Sequence, residues 1–244
     1  MKLNALPHRQ HGYTLIELMV ALLISLFLLA GLITLEQGMR STYGNQSQLT
    51  QLQDNERFAL TVIGEVVQQA GYFPNPTAYT ATTALPVSGA FAAKQPITGV
   101  YSAAAPNDTL SVRFLTASGD SNINCTGGSN TTGAVLLYVN AFSISAGANP
   151  ALQCSVNGAA AQTLVNGVTN FEVWYGVRTN GAVTTNDVDS YLRASVMTAA
   201  NWQNVTSVKV RLTFTNPLFG QPGQAATVQI TRIIAVMQRA ALTV

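Results

Sequence analysis

One carboxylate, Glu17, stands near the head of a membrane-length apolar run in HGYTLIELMVALLISLFLLAGLITL, His11 to Leu35. An acid near the centre of such a helix costs roughly 2.5–3.5 kcal/mol on insertion scales. A lone carboxylate in low dielectric is very unfavourable, whereas a paired one is tolerable. Something must therefore compensate the cost of Glu17.

Other residue types capable of chemistry are sparse. His8 and His11 are the only histidines, and both precede Gly12, so a chain cut after that glycine has no imidazole. Gly119-Asp120-Ser121 has the look of a hydrolase triplet, but a serine nucleophile needs a base and an orienting acid. Asp187 and Asp189 in TNDVDSY form a loop rich in oxygen ligands. It lacks the third acid and the glycine of an EF-hand, so a solvated turn is expected over a Ca²⁺ site. No P-loop, dinucleotide fingerprint or Cys/His metal cluster is present in the sequence. Catalysis, metal and cofactors are not expected.

Cys125 and Cys154 are the only cysteines. In an exported chain two such cysteines most often pair, and a closed loop of about 30 residues is stabilised by on the order of 3 kcal/mol. Two buried free thiols are the alternative.

The 244 residues are 48% apolar and only 9% charged, which is far from the clustered Lys and Arg of a nucleic-acid binder. The formal charge of +2 includes Lys2 and Arg9, upstream of the apolar run. That run is near the ~17–25 residues needed to span a bilayer. No proline occurs between Tyr13 and Phe73. Beyond the run, Leu49, Leu52, Ala59, Val62, Ile63, Val66 and Val67 recur at helical spacing. One long helix is expected, with Gly38 and Gly44 as points of local bending. QQAGYFPNP, Gln68 to Pro76, carries stop signals. Arg40 marks the membrane exit, and Glu56, Arg57 and Glu65 are assigned to a solvated stem.

Residues 77–107 read as irregular surface structure with one short strand. Strand patterns follow in LSVRFLTA, AVLLYVNAFSIS, FEVWYGV, VTSVKVRLTFT and TVQITRIIAVM. Val208, Val210, Leu212 and Phe214 alternate with Lys209, Arg211 and Thr213, giving one buried and one wet face. Trp174 and Trp202 are assigned to the core. The expected fold is α+β, a long N-terminal helix with a membrane half and an amphipathic half, covered by an antiparallel sheet.

Gly12 followed by YTLIELMVALLI resembles the type IV prepilin motif. The resemblance implies cleavage after Gly12 by a prepilin peptidase, N-methylation of Tyr13, and a filament-assembly role for Glu17 opposite a neighbour's N-terminal amine. Tyr13 replaces the usual phenylalanine and keeps the ring. It also implies a leader at 1–12, a long helix at 13–72 that is transmembrane over 13–35, and a pilin-like β-rich head at 73–244. LVNGVTNFEVWYGV, SYLRA and WQNVTSVKVRLTF resemble the PilW-type minor pilins. That resemblance implies a structural subunit that primes type IV pilus assembly and is retained in the tip complex. Its implied partners are other minor and major pilins, the inner-membrane assembly platform and a tip adhesin. The implied location is the bacterial inner membrane with a periplasmic head, then the pilus at the cell surface, supporting adhesion and twitching motility. The alternative is a J-type minor pseudopilin of a type II secretion filament.

Overall fold

A computed structural model of the chain describes residues 12–103, 107–180 and 187–237. Of the expected leader only Gly12 lies within them. The chain divides into two compact units between Gln48 and Leu49, and α1, Leu15–Gln68, contributes to both.

In the first unit, α1 is continuous through Gly31 and through Gly38 and Gly44, so it is not broken at the two glycines expected to bend it. One 18-residue window has a mean hydropathy of 2.8 and is wholly exposed within the chain. By length and composition it is apolar enough to cross a membrane. The hydroxyls inside this segment are satisfied within the helix. Ser25 donates to the Leu22 carbonyl at 2.9 Å and Thr34 to that of Gly31 at 2.8 Å. In hydrocarbon such back-bonding removes the cost of a bare hydroxyl.

In the second unit α1 turns amphipathic. Leu52, Ala59, Leu60, Ile63, Val66 and Val67 are buried, while Leu49, expected on the same face, is exposed. The helix stops where Gly71 adopts φ +82°, a conformation suited to glycine, and donates its N–H to the Arg113 carbonyl at 3.0 Å. A short helix, α2 (Ala81–Ala84), follows in the segment expected to be irregular.

Two antiparallel sheets, rather than the single sheet expected, build the head. The first is a meander of β1 (Ile97–Val100), β2 (Thr109–Thr116), β3 (Leu136–Ile144), β4 (Ala151–Val156) and β5 (Gln162–Asn166). The second contains β6 (Val168–Val177), β7 (Ser190–Leu192), β8 (Ser207–Thr215) and β9 (Thr227–Ala235), in the order β7-β6-β8-β9. Between β7 and β8 lie a 3₁₀ turn at Ala194–Val196 and α3, Ala199–Gln203.

One core joins these layers: Ile63 and Val67 from α1, Leu110, Phe142 and Leu152 from the first sheet, and Phe171, Val173, Val210 and Phe214 from the second. Each such side chain contributes about 1.5–3 kcal/mol on full burial. The alternation of β8 holds for Val208, Val210, Leu212 and Phe214, all buried. Its other face is not open to water: Lys209 and Arg211 are half-buried and Thr213 is buried. The reason lies on β6. Trp174, expected in the core, projects to that outer face and packs among cations, whereas Trp202 packs edge-on to Tyr175 with ring centroids 4.6 Å apart.

Candidate assembly site

At the start of α1, Thr14 and Glu17 hydrogen-bond reciprocally. Thr14 Oγ1 accepts from the Glu17 N–H at 3.4 Å, and Glu17 Oε2 accepts from the Thr14 N–H at 3.3 Å. This is a capping box, T-x-x-E, which satisfies two orphan donors of the first turn. The carboxylate also lies where the helix dipole favours negative charge. Glu17 thus has a local partner that the sequence reading did not assign, and the signal, Thr14 three residues before it, was available. Tyr13 precedes the cap with 86% of its surface exposed.

Further along α1, Arg40 pairs with Glu36 at 2.6 Å, both exposed. Of the acids placed on the stem, Glu65 is exposed, but Glu56 is half-buried and its Oε1 has no hydrogen-bond partner. Burial raises its pKa above the usual carboxylate value.

The cysteines form a disulfide, Cys125–Cys154, which ties the β2–β3 loop to β4. Both sulfurs lie in the core. Asn140 on β3 holds the loop from the side, its Oδ1 accepting the Cys125 N–H at 2.8 Å. The loop and β5 face α1 across a cleft of about 410 Å³ that includes Phe58, Val62, Thr126 and Leu164.

Asp120 of the GDS triplet is a turn residue. It accepts from Thr116 Oγ1 at 2.6 Å and from the Ala117 N–H at 2.8 Å. Burial acts to raise its pKa, and the hydrogen bonds from Thr116, Asn122 and the backbone outweigh it and bring the pKa down. Asp189 is likewise occupied. It accepts from the N–H groups of Thr179 and Asn180 at 2.9 and 2.8 Å, which hold its carboxyl down to about 2. Asp187 also lies within the described residues, whereas 185 and 186 of that loop lie outside them. Among the described residues no group of three or more His, Cys, Asp or Glu side chains converges as a metal site would require.

Two polar constructions escaped the sequence reading. Arg113 on β2 is fully buried, and no described carboxylate forms an ion pair with it. Its guanidinium donates to four carbonyls: Gln95 at 2.8 Å, Pro86 at 2.6 Å, Ala92 at 2.8 Å and Leu85 at 3.3 Å. It also lies 4.6 Å from the Phe91 ring centroid. Burial lowers its pKa to about 10, so it stays charged at neutral pH. Arg113 thereby ties together the backbone of the segment from α2 to β1.

The second construction joins the sheets. Asp108, just before β2, accepts from the Val173 N–H of β6 at 2.8 Å. Arg193, just after β7, places Nη1 3.1 Å from Asp108 Oδ2, without the alignment of a hydrogen bond. It donates through Nη2 to Glu172 at 3.2 Å. Arg211 reaches the same glutamate at 3.4 Å. The Trp174 ring centroid lies 4.4 Å from Arg193 and 5.0 Å from Arg211. Tyr175, on the inner face, has its pKa raised by burial and then by the Asp108 charge. Gly99 is required here, because a methyl would run into the Tyr175 hydroxyl and the Thr109 carbonyl.

The arrangement suits a rigid head and an anchored helix. Comparison with known proteins agrees at both ends of the chain. Residues 7–33 match the prokaryotic N-terminal methylation motif. Residues 141–232, from β3 into β9, match the type IV pilus-assembly protein W family, PilW. No curated protein matches the chain significantly. The methylation motif and the exposed apolar helix fit anchoring in the inner membrane and incorporation into a pilus. With one family model on the apolar helix and another on the sheets of the head, the two matches support a type IV prepilin-like protein of PilW type with a minor-pilin-like role in the type IV pilus.

Proposed function

We propose that the protein primes type IV pilus assembly as a minor subunit and remains in the tip complex. The observation that carries this reading is the pairing of a methylation motif at residues 7–33 with a PilW match at 141–232 in one chain. The peptidase cuts after Gly12, Tyr13 becomes the methylated N-terminus, and the apolar part of α1 stays in the inner membrane until extraction. The head lies in the periplasm and meets other minor and major pilins, the assembly platform and a tip adhesin. Adhesion and twitching motility follow from the filament. The protein acts by assembly and not by catalysis.

Glu17 serves both ends of this process. Its Oε2 closes the capping box, and only Oε2 is engaged among the described residues. The second oxygen is available to a neighbouring N-terminal amine, which offsets the cost of a carboxylate in the bilayer.

The test is the N-terminal mass of the protein purified from its native membrane. A methylated Tyr13 start supports the reading. An intact Met1, or a cut beyond Leu35, overturns it. Recovery with secretion-filament components in place of pilus components would assign the subunit to a type II secretion pseudopilus.

A further inference from the structure

The second sheet ends in an unusually open edge. β9 runs for nine residues, TVQITRIIA, without proline and with one charge, Arg232. β8 covers one side of it, and no described residue pairs with the other. The other three outer strands, β1, β5 and β7, are four, five and three residues long. Long free edges are normally shortened, bulged or charged, because they template further strand pairing.

The register states which groups are free. Val236 donates to the Thr206 carbonyl at 2.8 Å and Asn216 to that of Ala226 at 3.0 Å. In an antiparallel ladder this directs the even-numbered backbone groups of β9 toward β8 and the odd-numbered ones outward. The odd residues, Thr227, Gln229, Thr231, Ile233 and Ala235, are all exposed. Ile233, on the face shared with Lys209, leaves 56% of its surface in water. Arg232 sits on the opposite face beside Gly64 of α1 and forms no ion pair with a described carboxylate.

We propose that the outer edge of β9 receives an extended segment of another pilus subunit, which adds a strand to the second sheet. The incoming segment carries an Asp or Glu opposite Arg232, with apolar or β-branched residues two positions to either side, against Ile230 and Ile234. Backbone pairing supplies the attachment and the Arg232 contact sets the register. A second copy of this chain fits less well. The fully overlapped antiparallel pairing, centred on Thr231, places the two Arg232 side chains diagonally on one face, where like charges repel.

This inference rests on the subunit reading above, and one experiment separates the two. Residue-resolved amide exchange is measured on the full chain in detergent, then on the same chain within the pilus complex purified from its native membrane. In the isolated chain the amides of Gln229, Thr231 and Ile233 should exchange freely, while those of Val228, Ile230, Arg232 and Ile234 are protected. In the complex the three outward amides should slow by at least about tenfold. Arg232→Glu should abolish that gain and Arg232→Lys should retain it. Three outcomes overturn the proposal: outward amides that stay fast in the complex, protection already present in the isolated monomer, and protection that appears with homodimer formation. If the chain enters the complex with those amides open, the edge proposal falls and the subunit reading stands. If the chain is uncut at Gly12 and joins no complex, both fall.

Discussion

Arg193 places its guanidinium 3.1 Å from the carboxylate of Asp108, and the two residues flank different sheets. Asp108 is 2% exposed and also accepts from Ser102 and Val173, so it is a buried acid that Arg193 pairs with across the two sheets. Removing one partner of a buried pair leaves an uncompensated charge, at about 3–5 kcal/mol for full burial. Because Arg193 retains some exposure, Arg193→Met should destabilise the head by about 2–3 kcal/mol in urea unfolding. Arg193→Lys should recover only part of this, since an ammonium cannot serve Asp108 and Glu172 in one planar fork. Trp174 fluorescence should shift in both variants. An unaltered unfolding midpoint for Arg193→Met would remove the ion pair from the account of how the sheets are joined.

The loop disulfide should behave as a covalent staple on the head. With Cys125 and Cys154 at a sequence separation of 29, replacing both by serine should cost about 3–4 kcal/mol in the chain-entropy account. Denatured, unreduced protein should resist alkylation at both positions. Modification of either thiol without reduction would contradict the pairing.

Legibility in the sequence followed periodicity. The long helix and five of the strands were readable because VKVRLTF and its counterparts keep period 2, and 49–67 largely keeps a helical period. The strands ALQCSV and QTLVN were not anticipated: too few β-branched or aromatic residues mark them, and their pairing with β3 and with each other is decided by the meander. Trp174 was misplaced because its type suggests the core, while its even number on β6 sets it on the face opposite Phe171, Val173 and Tyr175. Arg113 was invisible for a deeper reason. Its acceptors are backbone carbonyls up to 28 residues away, and carbonyls leave no trace in sequence.

Arg113 should be the least replaceable polar residue of the first sheet. Arg113→Met fills the space but leaves four carbonyls without their donor, and each buried unsatisfied acceptor costs about 1–3 kcal/mol. A loss of at least about 3 kcal/mol is expected, with new protease cleavage between Leu85 and Pro96. Wild-type resistance to cleavage in that variant would show that the segment holds itself.

Glu56 provides the pH-dependent case. Its folded-state pKa is raised by burial, so the fold disfavours the charged form. The resulting deficit is present above the folded pKa and disappears as pH falls to the ordinary carboxylate value near 4.3. Glu56→Gln should therefore stabilise the head at neutral pH by roughly 0.5–1 kcal/mol, discounted because the side chain is only half-buried. At about pH 4 the difference should vanish. Equal gains at both pH values would point to packing and not to charge.

Glu17 has two separable jobs, and two substitutions divide them. Thr14→Ala removes one half of the capping box and keeps the carboxylate, costing the helix start about 1 kcal/mol. Glu17→Gln keeps an acceptor for the Thr14 N–H and removes the charge. If the capping box alone accounts for the acid, Glu17→Gln should assemble into pili normally and Thr14→Ala should be the weaker variant. If the carboxylate pairs with a neighbour's amine, the order reverses: Thr14→Ala assembles while Glu17→Gln inserts in the membrane and fails to enter filaments. The second order is expected, because a cap at an exposed helix start needs only an acceptor, and a neutral amide meets that need without the cost of burying a charge in lipid. Surface piliation and membrane content, measured side by side for the two variants, decide between them.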